Sequence, residues 1–106
     1  MASDLYFFID QSEDDNLSDA VDKREKDLCG LVIPTMTSTS INFQGSRDGT
    51  NFYPIWWDSV LLEVTITSST IAMLDPMWFA GVNYLKIGTG SGEASDRTIY
   101  PIWRAF

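Results

Sequence analysis

Apolar and polar positions alternate with a period of two along much of this chain, and turn residues cut the alternation into short pieces. Ile41-Asn42-Phe43-Gln44-Gly45 runs into Ser46-Arg47-Asp48-Gly49 and is answered by Phe52, Ile55 and the pair Trp56-Trp57. That pattern predicts a strand, a tight turn and a returning strand. Ser46, Asp48 and Gly49 form the structural turn: an aspartate before glycine can bond the turn's backbone, and glycine supplies the left-handed conformation. Pro54 cannot donate to a ladder, so the returning strand should lie at an edge or carry a bulge. Leu62, Val64 and Ile66 alternate with Glu63, Thr65 and Thr67, the most regular half-buried strand in the sequence.

The remaining segments follow the same grammar. Leu5 to Ile9 is an apolar run of β-formers, expected as a strand buried on both faces or sealed by a partner. Gln11 to Asn16 reads as a loop. Leu17 to Asp22 reads as a short edge strand, with a helix as the alternative. Asp22 to Asp27 reads as a solvated charged turn. Leu28 to Ile33 is a strand ended by Pro34, Thr37 to Gly45 the next, and Ile71 to Leu74 a brief one before the Asp75-Pro76 corner that runs to Gly81. Val82 to Ile87 is a strand, Gly88 to Ser95 a flexible hairpin loop, and Thr98 to Trp103 the last strand. Seven to nine short strands without a clear helix predict an all-β fold, a single antiparallel β-sandwich of jelly-roll type. An immunoglobulin-like sandwich is the alternative, although its Cys-Trp-Cys core is absent. No repeat or linker divides the chain, so residues 1–106 should form one domain.

Composition narrows the function. Apolar residues make up 44% of the chain and aromatics 13%, enough for a packed core without metal or disulfide support. The net charge of −8 argues against a nucleic-acid backbone or an anionic lipid surface as partner, because both need basic patches. Residues 1–29 hold nine acids and three bases, the rest six acids and four bases, so the acidity is local. The single Cys29 sits in an apolar run and is expected to be a buried structural thiol. With no histidine, the usual general base and the usual transition-metal ligand are both missing. Neither a signal peptide nor an apolar run long enough to span a membrane is visible, which implies synthesis in the cytoplasm.

Candidate chemistry has plain structural explanations. Gly88-x-Gly90-x-Gly92 lacks the dinucleotide spacing and the following helix that would hold a phosphate. Glu13, Asp14, Asp15, Asn16 and Asp19 could offer oxygens to calcium, but without the glycine and terminal glutamate of a helix-loop-helix site. Asp48 and Asp58 could be paired as catalytic carboxylates, yet turn and loop-capping roles explain them better. Trp56, Trp57, Trp78 and Trp103 could build a sugar-stacking platform, although tryptophans more often serve cores and interfaces. No catalytic residue, metal site or cofactor is therefore expected. Trp56 and Trp57 are adjacent and must face opposite sides of a strand, so a single core can take only one of them.

An ordered series of motifs carries a resemblance. Leu17 to Asp22, Leu31-Val32-Ile33-Pro34, Ile41 to Gly45 with Ser46-x-Asp48-Gly49-x-x-Phe52, Leu74-Asp75-Pro76-x-x-Phe79-x-Gly81-Val82-x-Tyr84-Leu85-Lys86-Ile87 and Asp96-Arg97-Thr98-Ile99 follow one another. Over residues 17–104 the series resembles a family of small β-sandwich structural (virion) proteins of tailed bacteriophages. The Ser46 to Phe52 turn and the strand Val82 to Ile87 are also similar to parts of discoidin-type carbohydrate-binding sandwiches. The chain departs from the phage pattern in its charged Asp22 to Asp27 turn and in the Trp-Trp within Tyr53 to Leu62. The resemblance implies a non-enzymatic virion component: a decoration (cement) protein in many copies on the outer capsid, with the major capsid protein or other virion proteins as partners. Trp56, Trp57 and Trp103 would be its interface anchors. The alternatives are a carbohydrate- or host-surface-binding module of a head or tail fibre, and a neck or tail connector.

Overall fold

The computed structural model describes residues 6–24 and 26–104; Leu5 and Glu25, within the expected first strand and the charged turn, lie outside them. Eleven strand segments form in chain order: β1 (Phe7–Ile9), β2 (Val21–Asp22), β3 (Asp27–Ile33), β4 (Ser40–Ser46), β5 (Tyr53–Pro54), β6 (Trp56–Trp57), β7 (Val60–Leu61), β8 (Glu63–Thr65), β9 (Thr70–Met73), β10 (Tyr84–Thr89) and β11 (Arg97–Arg104). A 3-10 turn, Pro76–Phe79, separates β9 from β10. One antiparallel sheet has the order β1-β11-β3-β9 and the other β2-β10-β4-β5. β8 pairs with β4 through Ser40 to Asn42, where β10 also pairs, so it occupies the same side of β4 as β5.

Taking β5 and β8 as one interrupted strand leaves eight strands in two four-stranded sheets. Successive strands alternate between the sheets everywhere except at the β4–β5 turn, and this alternation is the double Greek key of a jelly roll. The immunoglobulin-like alternative, in which the first two strands pair, does not form: β1 and β2 lie in different sheets. The same topology corrects the expectation for Gly88 to Ser95. Those residues cross from one sheet to the other, because β10 pairs with β2 and β4 whereas β11 pairs with β1 and β3.

That crossover is pinned, not flexible. Thr89 N–H donates to the Asn16 carbonyl, Glu93 N–H to the Asp15 carbonyl, and the Glu93 carboxylate is buried. It accepts from Thr37 N at 2.8 Å, Ser38 N at 2.9 Å and Arg97 Nε at 2.8 Å. Burial alone would raise the Glu93 carboxyl. The Arg97 guanidinium and the two backbone donors outweigh it and hold the group below its ordinary value.

The core lies between the sheets. Phe7, Ile9, Leu28, Leu31, Ile33 and Ile99 come from one sheet, and Val21, Ile41, Phe43, Leu85 and Ile87 from the other. Leu28 and Leu31 are three apart yet both point inward because β3 carries a bulge. Ile102 pairs with Gly30 and Trp103 with Leu28, leaving Cys29 as the extra residue. Cys29 is consequently half-buried, not enclosed as expected, and its thiol lies 3.7 Å from the Asp27 carbonyl. In the charged turn, Lys23 is buried against expectation and its ammonium donates to the Arg24 carbonyl. Desolvation pushes this lysine below its ordinary pKa, with Asp27 opposing the shift.

Candidate docking hairpin and adjoining groove

The site begins at the β4–β5 turn. Ser46 Oγ accepts from Asp48 N and Gly49 N and donates to Asp48 Oδ1, which in turn accepts from Thr50 N and Asn51 N at 2.9 and 3.0 Å. Asn51 Nδ2 donates to Asp48 Oδ2. The backbone donors of Asn51 and Thr50, followed by the Ser46 hydroxyl, hold the Asp48 carboxyl well below the usual carboxylate range. Gly49 has φ +79° and stands against the Tyr84 ring, 3.2 Å from where a Cβ would be. Gly49→Val is therefore expected to lower stability by about 1–2 kcal/mol or more, read as a fall in the urea midpoint. An unchanged midpoint would remove the turn from the determinants of the β4–β5 register.

Beyond the turn, the returning strand does not continue through the tryptophans as the alternation suggests. Ile55 N–H still donates to the Phe43 carbonyl, but residues 56–61 then leave the sheet, and the chain rejoins where Leu62 N–H donates to the Ile55 carbonyl. The excursion is a small hairpin of its own, with Trp56 opposite Leu61 and Trp57 opposite Val60. Asp58 and Ser59 form its two-residue loop, both left-handed at φ 52° and 65°, as the twist of a tight hairpin favours. Asp58 is thus a turn residue and no partner to Asp48 in a carboxylate pair.

Neither tryptophan of the pair enters the core. Trp56 is 62% exposed and Trp57 44%, with Val60, Leu61 and Tyr53 exposed beside them. The core closes instead with smaller residues on either side of the excursion, half-buried Ile55 and buried Leu62. Trp103, the third expected anchor, sits in the opposite sheet, half-buried against the core, with the Lys26 ammonium 5.6 Å over its ring. Trp78 is also half-buried and packs edge-on against Phe79. The four tryptophans therefore do not assemble into one stacking platform. Val60, Leu61 and Tyr53 join Trp56 and Trp57 on the surface, and Asp58-Ser59, which lacks the glycine of the usual two-residue turns, gives no sequence signal that would set Val60 and Leu61 opposite the tryptophans.

An open groove of about 710 Å³ lies between the turn and β5, lined by Ser46, Arg47, Asp48, Tyr53, Ile55 and Asn83 among others. Gly45 shapes its floor, since a Cβ there would stand 2.9 Å from Val82 Cγ1. The polar groups facing it are largely engaged: Asn83 Nδ2 donates to the Arg47 carbonyl and Asn51 binds Asp48. Arg47 and Asp48 are the charged residues of its lining, the Asp48 carboxylate is taken up by the turn, and the chain contains no histidine. Among the described residues, no group of three or more Cys, Asp or Glu side chains could hold a metal ion, so the Glu13 to Asp19 acids do not converge. Also among the described residues, no helix is long and apolar enough to cross a membrane.

No family model, curated protein or solved structure matches the chain.

Proposed function

We propose that this chain is a non-enzymatic structural component of a tailed-bacteriophage virion, a decoration (cement) protein that binds the outer capsid lattice through the β6–β7 hairpin. The observation that carries the reading is the excursion itself. A continuous edge strand is interrupted to hold Trp56, Trp57, Val60 and Leu61 off the sheet, where they contribute nothing to the core. Exposed aromatics clustered on a short projecting element are the composition of interface anchors. Asp58 and Glu63 flank them, which favours a receiving surface with an apolar pocket and a basic rim. The motif series over residues 17–104 supplies the virion context.

Quantifying the protein in purified particles against the major capsid protein tests this reading. Copies comparable to the capsid protein's own support decoration, a single ring's worth assigns it to the neck or tail, and absence from particles overturns it. Trp56→Ser and Trp57→Ser are expected to fold with little change in melting midpoint, and at least one should load onto particles about tenfold less. Full loading of both would remove the hairpin as the anchor. The carbohydrate-binding alternative would use the groove beside Tyr53, and glycan-induced fluorescence quenching with particle loading unaffected would favour it.

A further inference from the structure

The two sheets differ on their outer faces. On the β10–β4 sheet the outward positions are mostly polar, Asn42 opposite Glu63 and Gln44 opposite Lys86, with Pro54 and Tyr84 the exceptions. That is the usual solvated face of an antiparallel sandwich. On the β1-β11-β3-β9 sheet the outward positions between the strand ends are apolar but for Thr98, which stands opposite Phe8. Ile71 pairs with Val32 and Val32 with Tyr100, whose ring meets Tyr6 at 5.8 Å. In the next row Met73 and Ile102 flank Gly30, each reaching 3.4 Å from where a Cβ would stand. Ile71 is 61% exposed, Met73 70% and Tyr100 53%, so nothing among the described residues covers them. The only charged residues in these four strands are Asp27, Arg97 and Arg104, all near strand ends and all ion-paired.

We infer that this outer face is a self-association surface, on which a second copy of the chain packs face to face about a two-fold axis. Charge selects the occupant. A two-fold contact sets the face against its own copy on a second chain carrying −8, so an unpaired anion on it would be repelled and an unpaired charge of either sign near the axis would meet its twin. This face carries none, whereas the tryptophan hairpin is flanked by acids and suits an unlike partner. Four strands about 4.8 Å apart and three outward rows, the third being Phe8 with Thr98, give a footprint on the order of 400 Å². Two such faces bury roughly 800–1,000 Å², the low end for a specific interface, which points to a dimer that dissociates in the micromolar range. Because the contact is apolar between two acidic chains, added salt should strengthen it.

Sedimentation velocity from about 1 µM to about 1 mM tests the inference. The expected result is a shift from monomer to dimer that moves to lower concentration at higher salt. Val32→Lys and Tyr100→Lys lie on inner strands, so they disturb face packing and leave edge-strand pairing untouched. Each should stay folded by circular dichroism and weaken the dimer more than about a hundredfold, since symmetry buries two ammonium groups at once. Trp56→Ser should leave the dimer intact, which separates this inference from the capsid-docking reading. Monomer at every concentration, or a dimer that persists in either folded lysine variant, would overturn it.

Discussion

Glu93→Ala is expected to lower stability by about 3–5 kcal/mol, a large part of what holds a domain of this size together. Glu93 is 2% exposed and its carboxylate ties the β10–β11 crossover to the segment before β4 through Thr37 N and Ser38 N, and to the start of β11 through Arg97. Removing it strands two backbone donors and takes its carboxylate from a mostly buried guanidinium, which keeps its hydrogen bond to Thr37 Oγ1. A fall in melting midpoint of more than about 10 °C would follow. The pH dependence has a definite sign. The folded carboxyl sits below its ordinary value, so the unfolded state binds the extra proton in between. The stabilisation is complete above the unfolded value of about 4.3 and is lost as pH falls through the lower folded value. Glu93→Gln removes the titration, so the gap in midpoint between wild type and this variant should narrow on acidification below about pH 4. A constant gap from pH 7 to pH 3 would show that the charge of Glu93 carries none of the effect.

The network around Glu93 also marks where the sequence stops being readable. Period-two alternation placed most strands, because each strand records locally which side chains face the core. The β4–β5 turn was legible for the same reason: Ser46, Asp48 and Gly49 satisfy one another within four residues. It is also the one place where consecutive strands pair across a turn within a main sheet. Every other main connection crosses between sheets, and those pairings, such as Phe7 with Ile99, join residues far apart in sequence. Nothing local in Gly88 to Ser95 announces that Glu93 will be buried against Thr37 and Ser38, so a glycine-rich polar stretch reads as a mobile loop. Likewise Leu28 and Leu31 conflict in phase until the bulge at Cys29 reconciles them.

The candidate site was legible in kind but not in arrangement. Adjacent tryptophans guarantee that a two-layer core cannot absorb both, and this much follows from strand geometry alone. That the core absorbs neither depends on the turn at Asp58 and Ser59, two non-glycine residues in left-handed conformations that the sequence does not flag as a hairpin. Trp103 looked equivalent to the pair by composition, but it is half-buried against the core because it faces inward on β11, paired with the core residue Leu28.

Phe79→Ala is the companion prediction, with an expected loss of about 3–5 kcal/mol. Phe79 is fully buried at the end of the 3-10 turn, which Asp75 caps by accepting from Met77 N at 3.0 Å and Pro76 opens. Its ring meets Phe43 of β4 edge to face at 4.9 Å, while the turn that carries it packs on β3. It therefore bridges the two sheets at one point, and truncation leaves a cavity that strands on both sides must close around. Phe79→Leu should cost less, about 1–2 kcal/mol, reflecting the lost aromatic pairing and some repacking. Trp56→Ala removes a larger ring from an exposed position and should change stability by no more than about 0.5 kcal/mol. Urea unfolding of the three variants checks the ordering, with a common m-value showing that the unfolded states are comparable. If Trp56→Ala destabilised as much as Phe79→Ala, the hairpin would be part of the fold's own support, and its aromatics would not be free to serve as docking anchors.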